Sequence, residues 1–153
     1  MPTPFKTAAL FCKPGATGLR EPLAAIAALV QACGMQVMFE AATLQNADLT
    51  EHEGQTLPTI GNHADVAIVL GGDGTMLGIA RELAAYGVPL IGINHGRLGF
   101  ITDIAIDQVQ QVLTPMLRGE YETDRRALLE AEVRRAGATL MRTRALNDVV
   151  QLR

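Results

Sequence analysis

The sequence has no long hydrophobic run and no excess of positive charge, and each absence narrows the range of functions. The longest strictly apolar run, residues 23–30, has eight residues, far fewer than the ~20 that a membrane-spanning helix needs. The first residues, MPTPFK, lack the apolar segment and cleavage site of a signal peptide. The formal net charge is −3, whereas proteins that bind duplex nucleic acid usually present a basic face. We therefore predict a cytoplasmic protein without membrane or nucleic-acid partners.

Cysteine is also scarce. Cys12 and Cys33 are the only two cysteines, and neither belongs to a CxxC pair. In a reducing compartment they are expected to be buried thiols that pack as small hydrophobic side chains, with no metal site. By contrast, hydrophobic residues make up 48% of the 153 residues and charged residues 19%. This composition and length predict a packed domain, alone or with part of a second one.

Strand-like and helix-like segments alternate over residues 1–118. Apolar segments predict buried strands at residues 7–12, 35–39, 65–70 and 88–93. Helical spacing of apolar residues predicts helices at residues 20–33, 76–87 and 109–116. The polar residues 40–63 predict a loop with at most one short helix. This order predicts a Rossmann-like, doubly wound α/β domain with a mostly parallel sheet.

The pattern changes in residues 119–153. In LLEAEVRR, residues 128–135, apolar and charged residues alternate, and Gly137 follows as a turn before TLMRTRAL. Alternation with a period of two predicts an antiparallel hairpin, the start of an all-β domain. Because a lone hairpin is marginal in water, we expect the chain to be the front part of a longer protein. A small α/β domain with an added hairpin is the alternative.

The segment VLGGDGT, residues 69–75, places three glycines around one carboxylate directly after an apolar strand. Glycines permit positive φ angles and close approach of a ligand, and the amides of such a turn, with a helix behind them, favour phosphate. Thr75 is expected to cap that helix or to donate to a phosphate oxygen. Neither GxxxxGK[ST] nor a strand followed by GxGxxG is present. Phosphate binding is therefore expected to come from backbone amides, a Mg²⁺ ion carried by the nucleotide and basic residues elsewhere. The residues of this turn expected to bind the nucleotide are Gly71, Gly72, Asp73, Gly74 and Thr75.

Asp73 needs its own explanation, because a carboxylate repels a phosphate. It can accept the proton of an attacking hydroxyl, or it can hold that hydroxyl in line with a phosphoryl group. A purely structural role in an Asx turn or as a helix cap is the alternative.

Three stretches in order resemble the NAD kinase family. GGDGT also occurs in diacylglycerol and sphingosine kinases, and phosphofructokinases have a close GGDGS variant. The stretch IGINHGRLGFITD, residues 91–103, resembles the next signature of NAD kinases, and ALNDVV, residues 145–150, resembles their Asn-Glu/Asp motif. The chain is therefore similar to the front part of a bacterial-type NAD kinase.

The resemblance implies a reaction and roles for named residues. NAD kinases transfer the γ-phosphoryl group of ATP, with Mg²⁺ or another divalent cation, to the 2′-hydroxyl of the adenosine ribose of NAD, which gives NADP. Asp73 matches the aspartate assigned as general base, Gly74 lines the same site, and Asn147 and Asp148 match residues that contact NAD. It also implies an incomplete all-β NAD-binding domain, an oligomer (dimer or tetramer) in the full-length protein, and an isolated chain without activity.

Five polar residues that follow the predicted strands allow further hypotheses. Asn94, His95 and Arg97 suggest a catalytic loop, since a positive charge here can stabilise phosphates. Many relatives carry Arg in place of His95. We favour a structural loop that packs Leu98 and Phe100 into the core and holds the neighbouring turn. Lys13 and Arg20 are expected to be solvated.

Two alternative functions stay open. A diacylglycerol-type lipid kinase shares the GGDGT turn but needs an apolar groove for its acceptor. A non-catalytic nucleotide-binding module needs no catalytic acid, so replacing Asp73 with Asn would change its affinity or nothing. In a kinase the same change would reduce turnover by orders of magnitude.

Overall fold

Apolar runs form the central strands of a six-stranded parallel sheet. The computed structural model describes residues 4–146, and the chain divides into two units, Met1–Tyr121 and Glu122–Arg153. The strands of the first unit are β1 (Thr7–Cys12), β2 (Gln36–Glu40), β3 (Gly54–Gln55), β4 (Val66–Gly71), β5 (Leu90–Asn94) and β6 (Ile104–Ala105). Its helices are α1 (Arg20–Ala32), α2 (Ala41–Ala47), α3 (Leu57–His63), α4 (Asp73–Leu83) and α5 (Val109–Leu117), with 3₁₀ turns at Ala84–Tyr86 and Ile106–Gln108.

The strand order places the end of β4 beside a topological switch point. The order is β3-β2-β1-β4-β5-β6, and every neighbouring pair is parallel. The chain adds β2 and β3 on one side of β1 and then returns to add β4 on the other side. Ligands of open α/β sheets bind outside the carboxyl ends of the strands at such a point.

Successive residues of the central strands face two separate cores. Leu10 and Ile68 pack in the core that holds α1 and α5, whereas Phe11 and Val69 pack in the core that holds α3 and α4. This arrangement confirms the prediction of a Rossmann-like, doubly wound α/β fold. No helix within residues 4–146 is long and apolar enough to cross a membrane.

The first cysteine is buried as predicted and the second is not. Cys12 lies at the end of β1 with 3% exposure, and burial raises the pKa of its thiol. Cys33 follows α1 and is half-buried. Both thiols are free.

Residues 40–63 contain more secondary structure than the sequence predicted. The prediction of a loop with at most one short helix was wrong. These residues contain α2, β3 and α3. Helix α3 begins after Thr56, whose hydroxyl accepts a hydrogen bond from the N–H of Thr59 at 3.3 Å, and Pro58 lies in its first turn. A threonine cap followed by proline is a start signal for a helix. The N-cap of α2, Glu40, makes no such side-chain hydrogen bond, so the cap signal explains α3 alone.

The second unit contains an antiparallel hairpin, as the alternation predicted. Strands β7 (Leu129–Arg135) and β8 (Ala138–Ala145) are joined by Ala136 and Gly137, whose φ angles are 50° and 79°. Two positive φ angles are typical of the tight turn that matches the twist of a hairpin. The limits 1–118 and 119–153 for the two domains stay a prediction.

Candidate active site

The turn after β4 joins a fully buried strand to the start of α4. All six residues of β4 are buried. Gly72 is extended, with φ −119° and ψ −173°, and occupies the N-cap position, so that the helix begins at Asp73. The carbonyl of Gly72 accepts a hydrogen bond from the N–H of Met76 at 3.1 Å. The first amides of a helix have no acceptor within the helix, so this edge of the sheet offers donors to an anion.

The glycines of the turn serve close approach and not unusual backbone angles. Gly71, Gly72 and Gly74 are absent from the described residues with positive φ, so the expectation of positive φ here was wrong. A Cβ atom at Gly71 would lie 2.7 Å from the hydroxyl oxygen of Thr75, which only glycine avoids. At Gly72 or Gly74 a Cβ atom would meet no described atom within 4 Å. The protein's own packing therefore requires glycine only at the first of these positions.

Thr75 does not cap α4. Gly72 occupies the N-cap position, and no side chain makes the capping hydrogen bond. The side chain of Thr75 lies instead against Gly71. Capping is thus excluded as its explanation.

The carboxylate of Asp73 binds a distant loop and not its own helix. Its Oδ2 atom accepts a hydrogen bond from the N–H of Phe100 at 2.8 Å. Its Oδ1 atom accepts from the N–H groups of Ile101 and Thr102, each at 3.1 Å. The hydroxyl of Thr102 donates to the same Oδ1 atom at 2.9 Å. Asp73 is therefore neither an Asx-turn residue nor a helix cap.

These donors stabilise the ionised carboxylate. The N–H of Phe100, followed by the other donors from the loop, lowers the pKa of Asp73 from 3.8 to about 2, and partial burial opposes this only in part. A carboxylate that accepts several N–H bonds is favoured in its charged form. Asp73 is consequently a fixed anion at neutral pH and a weak base.

The loop that follows β5 is anchored to the same turn. Gly71 and Asn94 are neighbours in the sheet, and the N–H of His95 donates to the carbonyl of Gly71 at 3.1 Å. Asn94 is buried, at 4% exposure, and its Nδ2 atom donates to the hydroxyl of Thr102 at 2.8 Å. The turn of residues 71–75 and the loop of residues 94–102 thus form one connected site.

Polar contacts hold this loop, together with Ile101, which packs against the core that holds α3 and α4. Leu98 is 59% exposed and Phe100 is 98% exposed, so the prediction that they pack into the core was wrong. The backbone of the loop binds Asp73, which fixes the loop without burying these side chains. The loop does hold the neighbouring turn, as expected. His95 and Arg97 are exposed.

The remaining basic residues near the sheet edge behave as surface residues. Lys13 is exposed. Arg20 forms an exposed ion pair with Glu51 at 3.0 Å. Neither residue contacts Asp73 through any described hydrogen bond or ion pair.

The structure brings together only part of the predicted site. Gly71, Gly72, Asp73, Gly74 and Thr75 lie in one turn, whereas Asn147 and Asp148 lie outside the described residues. Sequence reasoning missed Thr102 and the close approach of Gly99 to Asp73. Their contacts join residues 26 to 29 positions apart through a loop, and such contacts leave no periodic signal in the sequence.

The fold and the site define a class: Rossmann-like α/β proteins with a glycine-rich turn and an ionised aspartate at the carboxyl edge of the sheet. Comparison with known proteins then identifies the family. Residues 10–121 match the model of the ATP-NAD kinase N-terminal domain. The chain belongs to the NAD kinase family, as the three motifs predicted.

Curated relatives agree with this assignment, and a solved structure shares the fold. The chain is 51% identical over 148 residues to an NAD kinase of Cupriavidus pinatubonensis, covering 97% of this chain and 48% of the relative. It is 49% identical over 146 residues to an NAD kinase of Paraburkholderia phytofirmans, covering 95% and 49%. The crystal structure of yeast NADH kinase complexed with NADH has the same fold, with a TM-score of 0.79 at 19% identity, over 94% of this chain and 47% of the yeast chain. The chain spans about half the length of the curated relatives it matches.

Proposed function

We propose that the protein to which this chain belongs is an NAD kinase. ATP supplies its γ-phosphoryl group to the 2′-hydroxyl of the adenosine ribose of NAD. The hydroxyl oxygen forms a bond to the γ-phosphorus, and the bond from that phosphorus to the β,γ-bridging oxygen breaks. The electron pair of the broken bond stays on ADP, and the hydroxyl proton is released. The observation that carries the proposal is the ionised Asp73 at the start of α4, in a chain of this family.

The glycine-rich turn supports the binding of phosphates. The backbone around Gly72 and Gly74 is open to close approach, and the first amides of α4 are donors without helical acceptors. We assign Gly71, Gly72, Gly74 and Thr75 to the phosphates. The hydroxyl of Thr75 is free of a capping role and can donate to a phosphate oxygen.

The proposed reaction also needs a divalent cation, which binds the phosphates of ATP. Mg²⁺ or another divalent ion enters as the counter-ion of the ATP phosphates and neutralises charge that develops during transfer. Within the described residues, no three His, Cys, Asp or Glu side chains form a group that could hold a metal ion. We assign the cation to the substrate, because the phosphates of ATP need a counter-ion.

Asp73 orients the acceptor hydroxyl. A carboxylate whose pKa is about 2 holds a proton only briefly at neutral pH, and phosphoryl transfer depends mostly on positioning and neutralisation of charge. Asp73 thus accepts a hydrogen bond from the ribose hydroxyl and aims its oxygen at phosphorus. The proton passes to solvent.

The other assignments follow the family. Asn147 and Asp148 contact NAD, because an amide with a carboxylate can hold the donors of a ribose or base in a defined orientation. The protein acts in the cytoplasm as an oligomer, a dimer or a tetramer.

A coupled assay of the complete protein tests the proposal. ATP, Mg²⁺ and NAD are expected to yield NADP, whereas diacylglycerol in place of NAD is expected to yield no phosphorylated product. Phosphorylated diacylglycerol without NADP would favour the lipid-kinase alternative. Asp73→Asn is expected to lower kcat by about 10²-fold or more with unchanged affinity for ATP, because the acceptor hydroxyl loses its orientation.

Asp65→Asn is the matched control. One oxygen of Asp65, Oδ2, accepts both hydrogen bonds, from the N–H groups of Lys6 at 2.7 Å and Thr7 at 2.9 Å. An asparagine keeps that oxygen, so kcat is expected to stay within about twofold of the wild type. If Asp73→Asn changed affinity for ATP and the wild type made no NADP, a binding module would be the better interpretation.

A further inference from the structure

The carboxylate of Asp73 is unequally occupied. Oδ1 accepts three hydrogen bonds, two from the N–H groups of Ile101 and Thr102 and one from the Thr102 hydroxyl. Oδ2 accepts one, from the N–H of Phe100. A carboxylate has about four acceptor positions on its two oxygens. Oδ1 is therefore saturated, and Oδ2 keeps the remaining capacity to accept.

A chain of hydrogen bonds fixes the direction of the Thr102 hydroxyl. Nδ2 of Asn94 can only donate, and it donates to Oγ1 of Thr102 at 2.8 Å. That bond uses a lone pair of the hydroxyl and leaves its proton for Asp73 Oδ1 at 2.9 Å. Asn94 and Thr102 are 4% and 0% exposed, so water does not compete for these positions. Each hydrogen bond of this chain therefore has a fixed donor: Asn94 donates to Thr102, and Thr102 donates to Asp73.

Gly99 leaves the space in which the carboxylate lies. A Cβ atom at Gly99 would lie 2.1 Å from Oδ1 of Asp73 and 2.5 Å from its Cγ atom. Any other residue would displace the carboxylate from the amides of the loop. The N–H of Gly99 also donates to the carbonyl of Thr102 at 3.0 Å, which closes the turn that presents these amides.

We propose that Thr102 is a positioning residue that leaves only Oδ2 of Asp73 free for the acceptor hydroxyl, and that Gly99 provides the space for this arrangement. The proposal rests on the proposed function for its catalytic meaning. Within the described residues, no charged side chain forms an ion pair with Asp73. The loop itself therefore sets the position and charge state of the carboxylate.

Thr102→Val and Thr102→Ser in the complete protein separate positioning from packing. Valine keeps the shape and loses the hydroxyl, so that Oδ1 loses one of its three donors and the loop holds the carboxylate less firmly. We expect kcat for NADP formation to fall by about 10- to 100-fold, with KM for ATP changed by less than about threefold. Serine keeps the hydroxyl and is expected to restore kcat to within about threefold of the wild type.

A second readout does not depend on activity. The carbon-13 shift of the Asp73 carboxyl, followed against pH, gives its pKa directly. Thr102→Val is expected to raise that pKa toward the ordinary value for aspartate, because a donor to the charged form is lost. Thr102→Ser is expected to leave it low.

Thr114→Val is the control for the loss of a buried threonine hydroxyl. The Oγ1 atom of Thr114 is buried and has no hydrogen-bond partner among the described residues. Its removal is expected to change neither kcat nor the pKa of Asp73.

If Thr102→Val does not fold, Gly99→Ala replaces it, with an expected fall in kcat of about 100-fold. Its control is Gly78→Ala in α4, where a Cβ atom meets nothing within 4 Å.

The outcomes distinguish this proposal from the proposed function. If the wild type makes no NADP, the proposed function fails, and the pKa comparison alone decides whether Thr102 controls the carboxylate. In an active enzyme, an unchanged kcat or an unchanged Asp73 pKa in Thr102→Val overturns the proposal. A fall in kcat with a raised pKa, reversed by serine, supports it.

Discussion

The two units of the chain use strands in opposite ways. All six residues of β4 in the α/β unit are buried, whereas no residue of β7 in the hairpin is buried. Helices cover both faces of β4, so that apolar residues are needed at every position. In the hairpin, Leu129 and Val133 are 50% and 47% exposed. The α/β unit therefore owes its stability to its core, and the hairpin depends on its turn and on pairs between its strands.

The carboxylates of the two units differ in the kind of donor that holds them. Asp73 accepts three backbone N–H groups and one buried hydroxyl. Glu132 in the hairpin is held by the side chains of Thr139, Arg134 and Arg142. Backbone donors are fixed by the fold, while exposed ion pairs are mobile and screened by salt. The carboxylate of Asp73 is therefore held in a defined position, whereas that of Glu132 is held less firmly.

A matched pair of leucines gives the largest expected effect. Leu10 in β1 is 0% exposed, and Leu140 in β8 is 63% exposed. Leu10→Ala is expected to lower the free energy of unfolding by about 2–5 kcal/mol, because it leaves a cavity in the core. Leu140→Ala in the 153-residue chain is expected to change it by less than about 0.5 kcal/mol. Urea unfolding of both variants checks the contrast, and equal losses would contradict it.

The two carboxylates are expected to respond differently to acid and salt. The pKa of Asp73 is lowered to about 2, below the ~3.9 of an unfolded chain. Its contribution to stability is therefore present above about pH 4 and is lost as the pH falls toward about 2. Asp73→Asn is expected to flatten the pH dependence of the free energy of unfolding in this range.

Glu132 provides the comparison for that experiment. Its pKa is also lowered, first by the Thr139 hydroxyl and then by Arg134 and Arg142. Because the side chains of Arg134 and Arg142 are exposed, at 66% and 60%, added salt is expected to reduce the contribution of Glu132. The contribution of Asp73 is expected to resist salt. A loss of the Asp73 contribution in moderate salt would contradict its fixed backbone coordination.

Thr114→Val is expected to stabilise the α/β unit slightly. The hydroxyl of Thr114 in α5 is buried without a partner among the described residues. Valine removes this desolvated group with little change in volume or helix propensity, so a gain of about 1 kcal/mol is expected. Thermal unfolding provides the measurement. A loss of stability would mean that the hydroxyl has a partner.

The smallest effect is expected in the turn of the hairpin. Ala136 has a φ of 50°, which costs alanine more than it costs asparagine. Ala136→Asn creates the Asn-Gly sequence that this turn prefers and is expected to stabilise the hairpin by about 0.5 kcal/mol. Hydrogen exchange of the amides of β7 and β8 is the appropriate readout, because it reports the hairpin separately from the core. Faster exchange would contradict the assigned turn.

The sequence predicted the large elements of the fold well and the small ones poorly. The limits of β1 agree with the prediction, and the buried residues of α1 are those with helical spacing, Leu23, Ile26, Ala27 and Val30. Each of these elements has a full apolar period behind it. The two-residue strands β3 and β6 have no such period. Their positions follow from pairing with neighbouring strands, which the sequence does not display.

The sequence predicted Asp73 as a site residue but did not reveal the residues that hold its carboxylate. Asp73 stands out because glycines surround it in the sequence. Thr102 binds Asp73 across 29 positions of sequence, and Phe100 contributes only its backbone N–H. A backbone donor has no residue type to recognise. The supports of the carboxylate are therefore visible only in three dimensions.

A crystal structure of the complete protein with NAD tests the central claim most directly. We predict that the 2′-hydroxyl of the adenosine ribose lies within hydrogen-bond distance of Asp73 Oδ2, while Oδ1 keeps its contacts with Ile101 and Thr102. A ribose far from residue 73, or one bound to Oδ1 after those contacts have broken, would contradict the account.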